Sequence, residues 1–190
     1  MGLEQAHKFY FICSDEAYFY LNGGHNIQSD RIYANFQPND IVEQPLHDEK
    51  VLVWCAFSGE NLYGPYFFNS TVKWNNYLDM LKEFFWPKVL QRYRTMDLRE
   101  KLYFQQDGAP PHRKKEVQLW LKGKFGEKFK ETSRWPPRSP DLNPCDFSLW
   151  GAIKSKAYEP KPSNLDDLKA NIEREIGNFR KNGIEKHILN

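Results

Sequence analysis

The spacing of hydrophobic residues along the chain is strand-like in the first third and largely helical afterwards. Phe9–Leu21 is a long apolar and aromatic run followed by Asn22-Gly23-Gly24, which predicts either a hairpin-forming segment or one long bent strand ending in a turn. Val51–Ser58 is almost continuously apolar and predicts a central strand buried on both faces. Gly64–Phe68 is expected to be its hairpin partner, and residues 31–36 carry a weaker strand signal.

Beyond residue 74 the pattern alternates between helix and strand. In Asn75–Arg94 the apolar residues recur at three- and four-residue spacings, which is typical of a helix buried along one face. Leu102–Gln106 returns to a strand, and His112–Phe125 is again helical. A short strand is expected near Phe129–Thr132.

A stiff proline-rich connector, Trp135–Pro144, precedes the next predicted helix. Asn143 suits the N-cap of that helix and Pro144 its first helical position, where proline is tolerated. Asp146 then lies in the first turn, where the helix dipole favours a negative charge. Pro160–Pro162 is expected to end the helix.

A last helix is predicted to begin after Ser163. Ser163 and Asp166 have the spacing of a capping box. The helical stripe that follows suits packing on the domain better than a ligand surface, and it consists of Leu165, Leu168, Ile172, Ile176 and Phe179. Strands first and strand–helix alternation afterwards predict an α/β domain with one mixed sheet covered by helices.

The composition excludes a disordered chain. The 190 residues suffice for one domain with a real core, and 40% of them are hydrophobic and 16% aromatic. The net charge of +2 says little about partners, but residues 113–138 contain nine Lys or Arg against three Glu. Such an excess suits a polyanion, and equally a solvated helix and loop.

Three widely separated cysteines, Cys13, Cys55 and Cys145, show no metal-binding spacing and are interpreted as reduced thiols of an intracellular protein. No apolar run reaches the ~18 residues of a membrane span. The first residues lack the apolar segment of a signal peptide.

Three aspartates lie where a carboxylate could do chemistry. Asp15 interrupts the first apolar strand, Asp107 ends a later one and Asp146 opens a helix. A carboxylate within an apolar strand is costly unless something compensates it, and a divalent cation such as Mg²⁺ prefers such oxygen ligands. Two adjacent strands can place Asp15 beside Asp107, and a helix N-terminus can bring Asp146 from across.

Each of these residues also has a simpler interpretation. A single aspartate is more often a cap or turn residue, as Asp141 in "SPDLNP" is expected to be. Glu16 should point to the opposite face of a regular strand from Asp15 and ranks behind it as a ligand. His112 is expected at a helix start or behind the ligands. Composition and spacing alone therefore leave the three-aspartate site open.

Four segments together resemble the catalytic domain of mariner-superfamily DNA transposases: "SDEAYFYLNG", "VLVWCAFSGENLYGPYFF", "YFQQDGAPPH" and "WPPRSPDLNPCDFSLWG". The resemblance runs from about Phe9 to about Ile176, and "QDGAPPH" followed at this distance by "SPDLNPCDF" is specific. It implies a ribonuclease-H-like fold, a mixed β-sheet flanked by α-helices, with three acidic residues that bind two divalent metal ions, Mg²⁺ or Mn²⁺.

The acids of the family fall on particular residues of this sequence. The first falls on Asp15, the second on Asp107 and the third, which is Asp or Glu among relatives, on Asp146 rather than Asp141. The 38 residues between Asp107 and Asp146 are a few more than in the best-known mariner elements. An enlarged loop around Lys122–Thr132 would absorb them.

The implied activity is that of a Mg²⁺-dependent transposase, a polynucleotidyl transferase and endonuclease. Water and then a DNA 3′-hydroxyl would attack a phosphodiester in line, while two metal ions activate the nucleophile and stabilise the leaving oxygen. The expected partners are transposon-end and target DNA, and a homodimer is compatible with the resemblance. No membrane and no nucleotide cofactor are expected. The alternative is a catalytically silent, transposase-derived DNA-binding or interaction domain.

Basic residues near the acids are expected to hold the DNA backbone through non-specific, salt-sensitive contacts. Trp135 suits stacking on an unpaired base, or else packing in the core beneath the connector. The predicted DNA-contacting residues are Arg113, Lys114, Lys115, Lys122, Lys124, Arg134, Trp135 and Arg138.

Relatives carry N-terminal helix-turn-helix modules that recognise transposon ends, and residues 1–190 are interpreted as a single catalytic domain without such a module. Phosphate contacts position DNA but carry no sequence information directly. We therefore expect the chain to bind DNA without sequence preference, and we expect a nuclear location.

Overall fold

The structure is a computed structural model that describes residues 10–23, 49–58, 61–94, 102–130, 143 and 145–181. The predictions for residues 31–36 and for the connector before Asn143 lie outside these residues. The strands of the described part are β1 (Tyr10–Tyr20), β2 (Lys50–Phe57), β3 (Leu62–Phe68), β4 (Leu102–Gln105) and β5 (Phe129–Lys130).

The five strands form one mixed sheet in the order β3-β2-β1-β4-β5. The central strand β1 is antiparallel to β2 and parallel to β4, while β3 is antiparallel to β2 and β5 is parallel to β4. Of the two predictions for the first apolar run, the single long strand is the one observed, and it ends at the expected turn. The α/β fold with one mixed sheet is confirmed.

Helical segments cover both faces of this sheet. They are α1 (Trp74–Met80), a π-helical segment (Leu81–Phe85), α2 (Trp86–Tyr93), α3 (Lys115–Phe125), a 3-10 turn (Gly126–Lys128), a π-helical turn (Cys145–Trp150), α4 (Gly151–Lys154) and α5 (Leu165–Lys181). The first three follow one another without a break and confirm the helix predicted over Asn75–Arg94. No helix in the described part of the chain is long and apolar enough to cross a membrane.

One sheet face packs against α1, α2 and α3 and is called the α1–α3 face. Side chains alternate along β1, so that Ile12 points to this face and Cys13 to the other. Trp54 is fully buried at the α1–α3 face, with its ring centroid 5.3 Å from that of Phe85. Phe85 in turn lies 5.3 Å from Phe104 of β4. These aromatic contacts hold β2 and β4 against the π-helical segment.

The other face packs against the π-helical turn, α4 and α5 and is called the α4–α5 face. Cys55 and Val53 of β2 are buried there, while Trp54 between them is buried on the α1–α3 face, so the prediction of a two-sided central strand is confirmed. The stripe of the last helix supplies Leu168 and Ile176 to this core. Packing on the domain, rather than a ligand surface, is therefore its role.

Helix boundaries are where the predictions from sequence were wrong. The capping box of α5 is formed by Asn164 and Asp167, one residue beyond the predicted Ser163 and Asp166: the Asn164 Oδ1 accepts from the Asp167 backbone N–H at 2.8 Å. The Asp167 Oδ2 accepts from the Ser163 backbone N–H at 3.1 Å, so Ser163 contributes its backbone and not its hydroxyl.

Two other helix ends also differ from the prediction. Helix α3 begins at Lys115 rather than His112, because residues 110–113 form a turn in which the His112 N–H donates to the Ala109 carbonyl at 2.9 Å. Helix α4 ends at Lys154, before Pro160–Pro162, and passes into a series of turns.

Candidate active site

The first two predicted acids lie at equivalent positions of neighbouring parallel strands. Cys13 of β1 pairs with Gln105, the last residue of β4. Asp15 follows Cys13 by two residues, and Asp107 follows Gln105 by two. Each acid therefore lies two residues beyond the last paired residues of β1 and β4, at the edge of the sheet where β4 ends.

Asp15 lies on the α4–α5 face, where the π-helical turn covers β1. Its Oδ2 accepts a hydrogen bond from the Trp150 indole Nε1 at 2.8 Å. Trp150 is 4% exposed and packs edge-on against Phe19, with ring centroids 6.1 Å apart. Across the strand pair, Asp15 is registered with the buried Cys55. This carboxylate is thus held within a largely apolar environment.

The third acid, Asp146, stands in the first turn of the π-helical turn, as predicted. Asn143 caps this turn: its Oδ1 accepts from the Cys145 N–H at 3.1 Å, and its carbonyl accepts from the Asp146 N–H at 2.9 Å. The Asp146 side chain is exposed, and its charge acts on Asp15. The turn therefore brings Asp146 to the edge of the sheet at which Asp15 lies.

Asp107 is held by the residues that follow it. Its Oδ1 accepts from the Ala109 backbone N–H at 3.0 Å and contacts the His112 Nδ1 at 2.6 Å. The other ring nitrogen of His112, Nε2, lies 3.3 Å from the Glu16 Oε1. His112 thus bridges Asp107 to Glu16, the residue next to Asp15, and Glu16 points away from Asp15 to the α1–α3 face as expected.

A buried network fixes His112 in this bridge. Its ring centroid lies 4.2 Å from that of Tyr77, and the Tyr77 hydroxyl donates to the Gln106 Oε1 at 2.7 Å. The His112 carbonyl accepts from the Gln118 Nε2 at 2.7 Å. Since His112 is only 2% exposed, its position is set by packing as well as by charge.

The electrostatics of the acids differ. Burial first, and then the charges of Asp146 and Glu16, raise the pKa of Asp15 to about 8, although the Trp150 hydrogen bond opposes them. For Asp107 burial also raises the pKa, but the hydrogen bond and charge of His112 outweigh it, so the pKa lies below its ordinary value. Burial lowers the pKa of His112, yet Glu16 and Asp107 together raise it to about 10.

The acidic residues of the site fall into two pairs and do not form a single cluster. Asp15 interacts with Asp146, and Asp107 is joined to Glu16 through His112. Across the described ranges, no three His, Cys, Asp or Glu side chains lie together as a metal-holding group. The donor set nevertheless fits a hard divalent cation, because Asp15 is a partly buried carboxylate facing like charges, and no cation among the described residues acts on it.

The comparisons with known proteins agree on one family, although no family model matches the chain. It is 28% identical over 158 residues to the Tcb2 transposable-element transposase of Caenorhabditis briggsae, which covers 82% of this chain and 54% of the relative. It is also 30% identical over 147 residues to the Tc3 transposase of Caenorhabditis elegans. That match covers 77% of this chain and 42% of the relative.

These relatives support a mariner-superfamily transposase catalytic domain. The chain spans about half the length of the curated relatives it matches. Its fold is the ribonuclease-H-like fold of the Mos1 mariner transposase catalytic domain. A structure of that domain with raltegravir and Mn superposes on this chain with a TM-score of 0.62 at 18% identity. The match covers 93% of this chain and 76% of the chain in that structure. A Mos1 paired-end complex with Mg gives a TM-score of 0.64 at 16% identity. The match covers 94% of this chain and 51% of the Mos1 chain in that complex.

The basic residues of this transposase domain divide into two groups along α3. Arg113, Lys114 and Lys115 are exposed and follow His112 directly, beside Asp107. Lys122 and Lys124 lie at the other end of the helix, roughly 10–14 Å from Lys115 along its axis at 1.5 Å per residue. The predicted contacts Arg134, Trp135 and Arg138 lie outside the described residues.

Lys124 is engaged by aromatic rings. Its Nζ lies 5.2 Å from the ring centroid of Trp86 and 5.7 Å from that of Trp120. Both rings are partly exposed and lie on the surface formed by α2 and α3. Lys124 is therefore tied to the α2–α3 surface, away from the acids.

Sequence reasoning missed Trp150. The only signal for it is its spacing, four residues after Asp146 in "CDFSLW", which places two side chains on the same side of a helical turn. Its indole reaches the first acid, Asp15, so one turn of chain serves two of the three acids. No property of the sequence pairs Trp150 with Asp15, 135 residues earlier.

Proposed function

We propose that this chain is the catalytic domain of a DNA transposase, with Asp15, Asp107 and Asp146 performing divalent-metal-dependent phosphodiester chemistry. The observation that carries the proposal is the contact between the strand that holds Asp15 and the capped turn that holds Asp146: Trp150, at the end of that turn, donates to the Asp15 Oδ2 at 2.8 Å. The register of β1 and β4 brings Asp107 to the same edge. The family's transposase relatives supply the reaction class.

The metal would be held by the three aspartates through carboxylate oxygens. Bound there, a divalent ion would act as a Lewis acid that activates the attacking oxygen and stabilises the leaving one. Solved structures of the Mos1 catalytic domain with Mn and with Mg support divalent-metal use in this fold. We propose two ions, as expected from the resemblance.

The residues around the acids prepare this site. The indole of Trp150 and the imidazole of His112 each contact one carboxylate oxygen, on Asp15 and Asp107 respectively. Asp146 stands exposed at the end of a helical turn, accessible to DNA. These positions leave the acids oriented before a substrate arrives, which is how an active site limits reorganisation during the reaction.

The proposed reaction proceeds in two displacements at phosphorus. In the first, water attacks a phosphodiester, the P–O3′ bond breaks and the leaving oxygen ends as a 3′-hydroxyl. In the second, the oxygen of this 3′-hydroxyl attacks a phosphodiester of target DNA and forms a new P–O3′ bond. The P–O3′ bond of the target strand breaks, and its oxygen leaves as a 3′-hydroxyl of the target. Neither step needs a covalent protein–DNA intermediate or ATP.

DNA is the proposed partner, and Mos1 structures with transposon-end DNA support it. We assign phosphate contacts beside the acids to the exposed Arg113, Lys114 and Lys115. Lys122, Lys124, Arg134, Trp135 and Arg138 complete the proposed DNA-contacting set. We propose a nuclear protein that acts as a homodimer on transposon-end and target DNA.

The test is cleavage of an end-labelled duplex by the purified chain with Mn²⁺ or Mg²⁺, beside EDTA. Asp15→Asn, Asp107→Asn and Asp146→Asn should each abolish cleavage. Asp166→Asn, which changes a 92% exposed aspartate on α5, should leave it intact. Equal cleavage by the three variants and the parent chain would refute the site. Absence of metal-dependent cleavage by the parent chain would favour a catalytically silent, transposase-derived DNA-binding or interaction domain.

A further inference from the structure

The hydrogen bond between Trp150 and Asp15 is not itself a step of the proposed phosphodiester chemistry. Trp150 donates its indole N–H to the Asp15 Oδ2 at 2.8 Å from a nearly fully buried position. Buried tryptophans usually place their N–H on some acceptor, and backbone carbonyls are the common choice. Here the acceptor is the side chain of a proposed metal ligand.

We propose that Trp150 is a positioning residue for the metal site, fixing the Asp15 carboxylate so that it can act with Asp146 as a ligand pair. The inference rests on the proposed function. Trp150 touches neither DNA nor the reacting atoms in this account, and it acts only through Asp15.

The geometry explains why a mobile carboxylate would be a problem at this position. Asp15 sits on the α4–α5 face of β1, beside buried Cys55 and Cys145. Its carboxyl group rotates about a single torsion with a broad energy profile, so packing alone orients it poorly. A hydrogen bond from a rigid bicyclic ring selects one orientation of Oδ2.

The indole is itself fixed on two sides. Phe19 meets its ring edge-on with centroids 6.1 Å apart. Leu149, next to Trp150 in the chain, and Ile153, three residues further on, are buried in the same core. A donor held in this way costs little further entropy when it bonds Asp15. The contact is therefore preorganised before any metal binds.

Chain connectivity couples this donor to the third acid. Asp146 and Trp150 are the second and last residues of the six-residue π-helical turn. A displacement of this turn would move Asp146 and release Asp15 together. The turn thus fixes the positions of Asp15 and Asp146 relative to each other, although these two proposed ligands lie 131 positions apart in the sequence.

Residues that orient metal ligands through hydrogen bonds affect metal affinity measurably. Their substitution typically weakens metal binding by about 10–100-fold. Trp150→Phe removes the N–H and keeps an aromatic ring against Phe19. Trp86→Phe is the control, because Trp86 is a partly buried tryptophan on the surface formed by α2 and α3, away from the acids.

The experiment measures the Mn²⁺ dissociation constant by titration calorimetry and electron paramagnetic resonance on the full chain, with circular dichroism to check folding. We expect Trp150→Phe to bind Mn²⁺ at least about tenfold more weakly than the parent chain. Trp86→Phe should bind within about twofold of the parent chain. Raising the Mn²⁺ concentration should restore DNA cleavage by Trp150→Phe and leave Asp15→Asn inactive.

A second replacement protects the test against misfolding. Benzothienylalanine at position 150 keeps the bicyclic shape and puts sulfur where the N–H stood, and it should weaken Mn²⁺ binding as Trp150→Phe does. Parent-like Mn²⁺ affinity in this folded variant would overturn the positioning role while leaving the proposed function intact. Failure of the parent chain itself to bind Mn²⁺ would overturn both.

Discussion

Asp15 is a residue whose proposed role should reduce the stability of the metal-free protein. Burial and the charges of Asp146 and Glu16 raise its pKa from 3.8 to about 8. Because the pKa of Asp15 is higher in the folded protein, the protonated carboxyl group contributes to the free energy of unfolding. This contribution is fully present below about pH 3.8 and is lost as the pH rises through about 8. Above pH 8 the ionised carboxylate is unfavourable in the folded state.

Asp15→Asn should therefore unfold at a higher temperature than the parent chain at pH 8 in EDTA. The advantage should grow between pH 5 and pH 8, reaching at least about 2 °C, roughly what 1 kcal/mol is worth in a domain of this size. Differential scanning fluorimetry measures it, with Asp166→Asn as the control for removal of one charge. A variant less stable than the parent chain at pH 8 would contradict this description of Asp15.

His112 should show a pH dependence in a different window. Glu16 and Asp107 raise its pKa from 6.5 to about 10, so its stabilising charge is fully effective below about pH 6.5 and is lost as the pH rises through about 10. His112→Asn removes the cation that bridges the two carboxylates. We expect the difference in melting temperature between the parent chain and this variant to shrink steadily from pH 6.5 to pH 10. A difference that stays constant over this range would show that the imidazole is held by packing alone.

At the residue scale, the sequence identified the acids and missed what holds them. Asp15 and Asp107 stand out because a carboxylate interrupts or ends an apolar strand, and Asp146 follows a recognisable cap. Trp150 carries no such signal, and the sequence predicted the face of Glu16 but not its contact with His112, since both contacts are set by tertiary packing. The His112 bridge depends on a turn that the sequence pattern assigned to a helix.

Among the elements, the start of α5 gives a sharp test of the observed cap. The Asn164 side chain accepts the Asp167 N–H, whereas Ser163 takes part only through its backbone. Asn164→Ala should lower the free energy of unfolding by about 1 kcal/mol, the usual loss for an N-cap side chain. Ser163→Ala should change it by less than about 0.5 kcal/mol. Urea denaturation measures both, and the opposite ranking would restore the cap predicted from sequence.

Elements with a clear hydrophobic period were predictable, and their ends were not. Val51–Ser58 was identified because a strand buried on both faces is almost continuously apolar, and Asn75–Arg94 because burial along one face imposes a helical period. The ends of α3, α4 and α5 depend on single hydrogen bonds, such as that from the His112 N–H to the Ala109 carbonyl. Two adjacent polar residues, Ser163 and Asn164, can each supply a cap, and the sequence does not choose between them.

For the whole molecule, DNA binding should be electrostatic and independent of sequence. Each phosphate contact contributes a slope of about −0.9 to the dependence of log binding constant on log salt. Changing Arg113, Lys114 and Lys115 together to Ala should make this slope shallower by about 2–3. Fluorescence anisotropy on a labelled duplex measures it, with Lys169→Ala on α5 as the single-charge control. An unchanged slope would show that these cations are only a solvated surface.

The same assay tests sequence preference. A candidate terminal-repeat duplex and a scrambled duplex of equal composition should compete equally for the 190-residue chain, because phosphate contacts do not read bases. A preference above about tenfold, or ~1.4 kcal/mol, would show that this domain recognises sequence itself.

The topology of the whole molecule was only partly predictable. Strand–helix alternation indicated a mixed sheet, but the order β3-β2-β1-β4-β5 comes from long-range pairing that local pattern does not encode. The resemblance to mariner transposases implied the ribonuclease-H-like arrangement. The division of the acids into two pairs, Asp15 with Asp146 and Asp107 with Glu16, emerged only from the three-dimensional contacts.

The most direct test of the central claim is anomalous X-ray diffraction from crystals of the chain grown with Mn²⁺. The proposal predicts two anomalous peaks at the sheet edge, ligated by Asp15, Asp107 and Asp146, with Asp107 recruited to the pair that Asp15 and Asp146 already form. Crystals of Asp107→Asn should lose this occupancy. Mn²⁺ bound elsewhere, or no peak beside Asp15 at saturating Mn²⁺, would contradict the three-aspartate site.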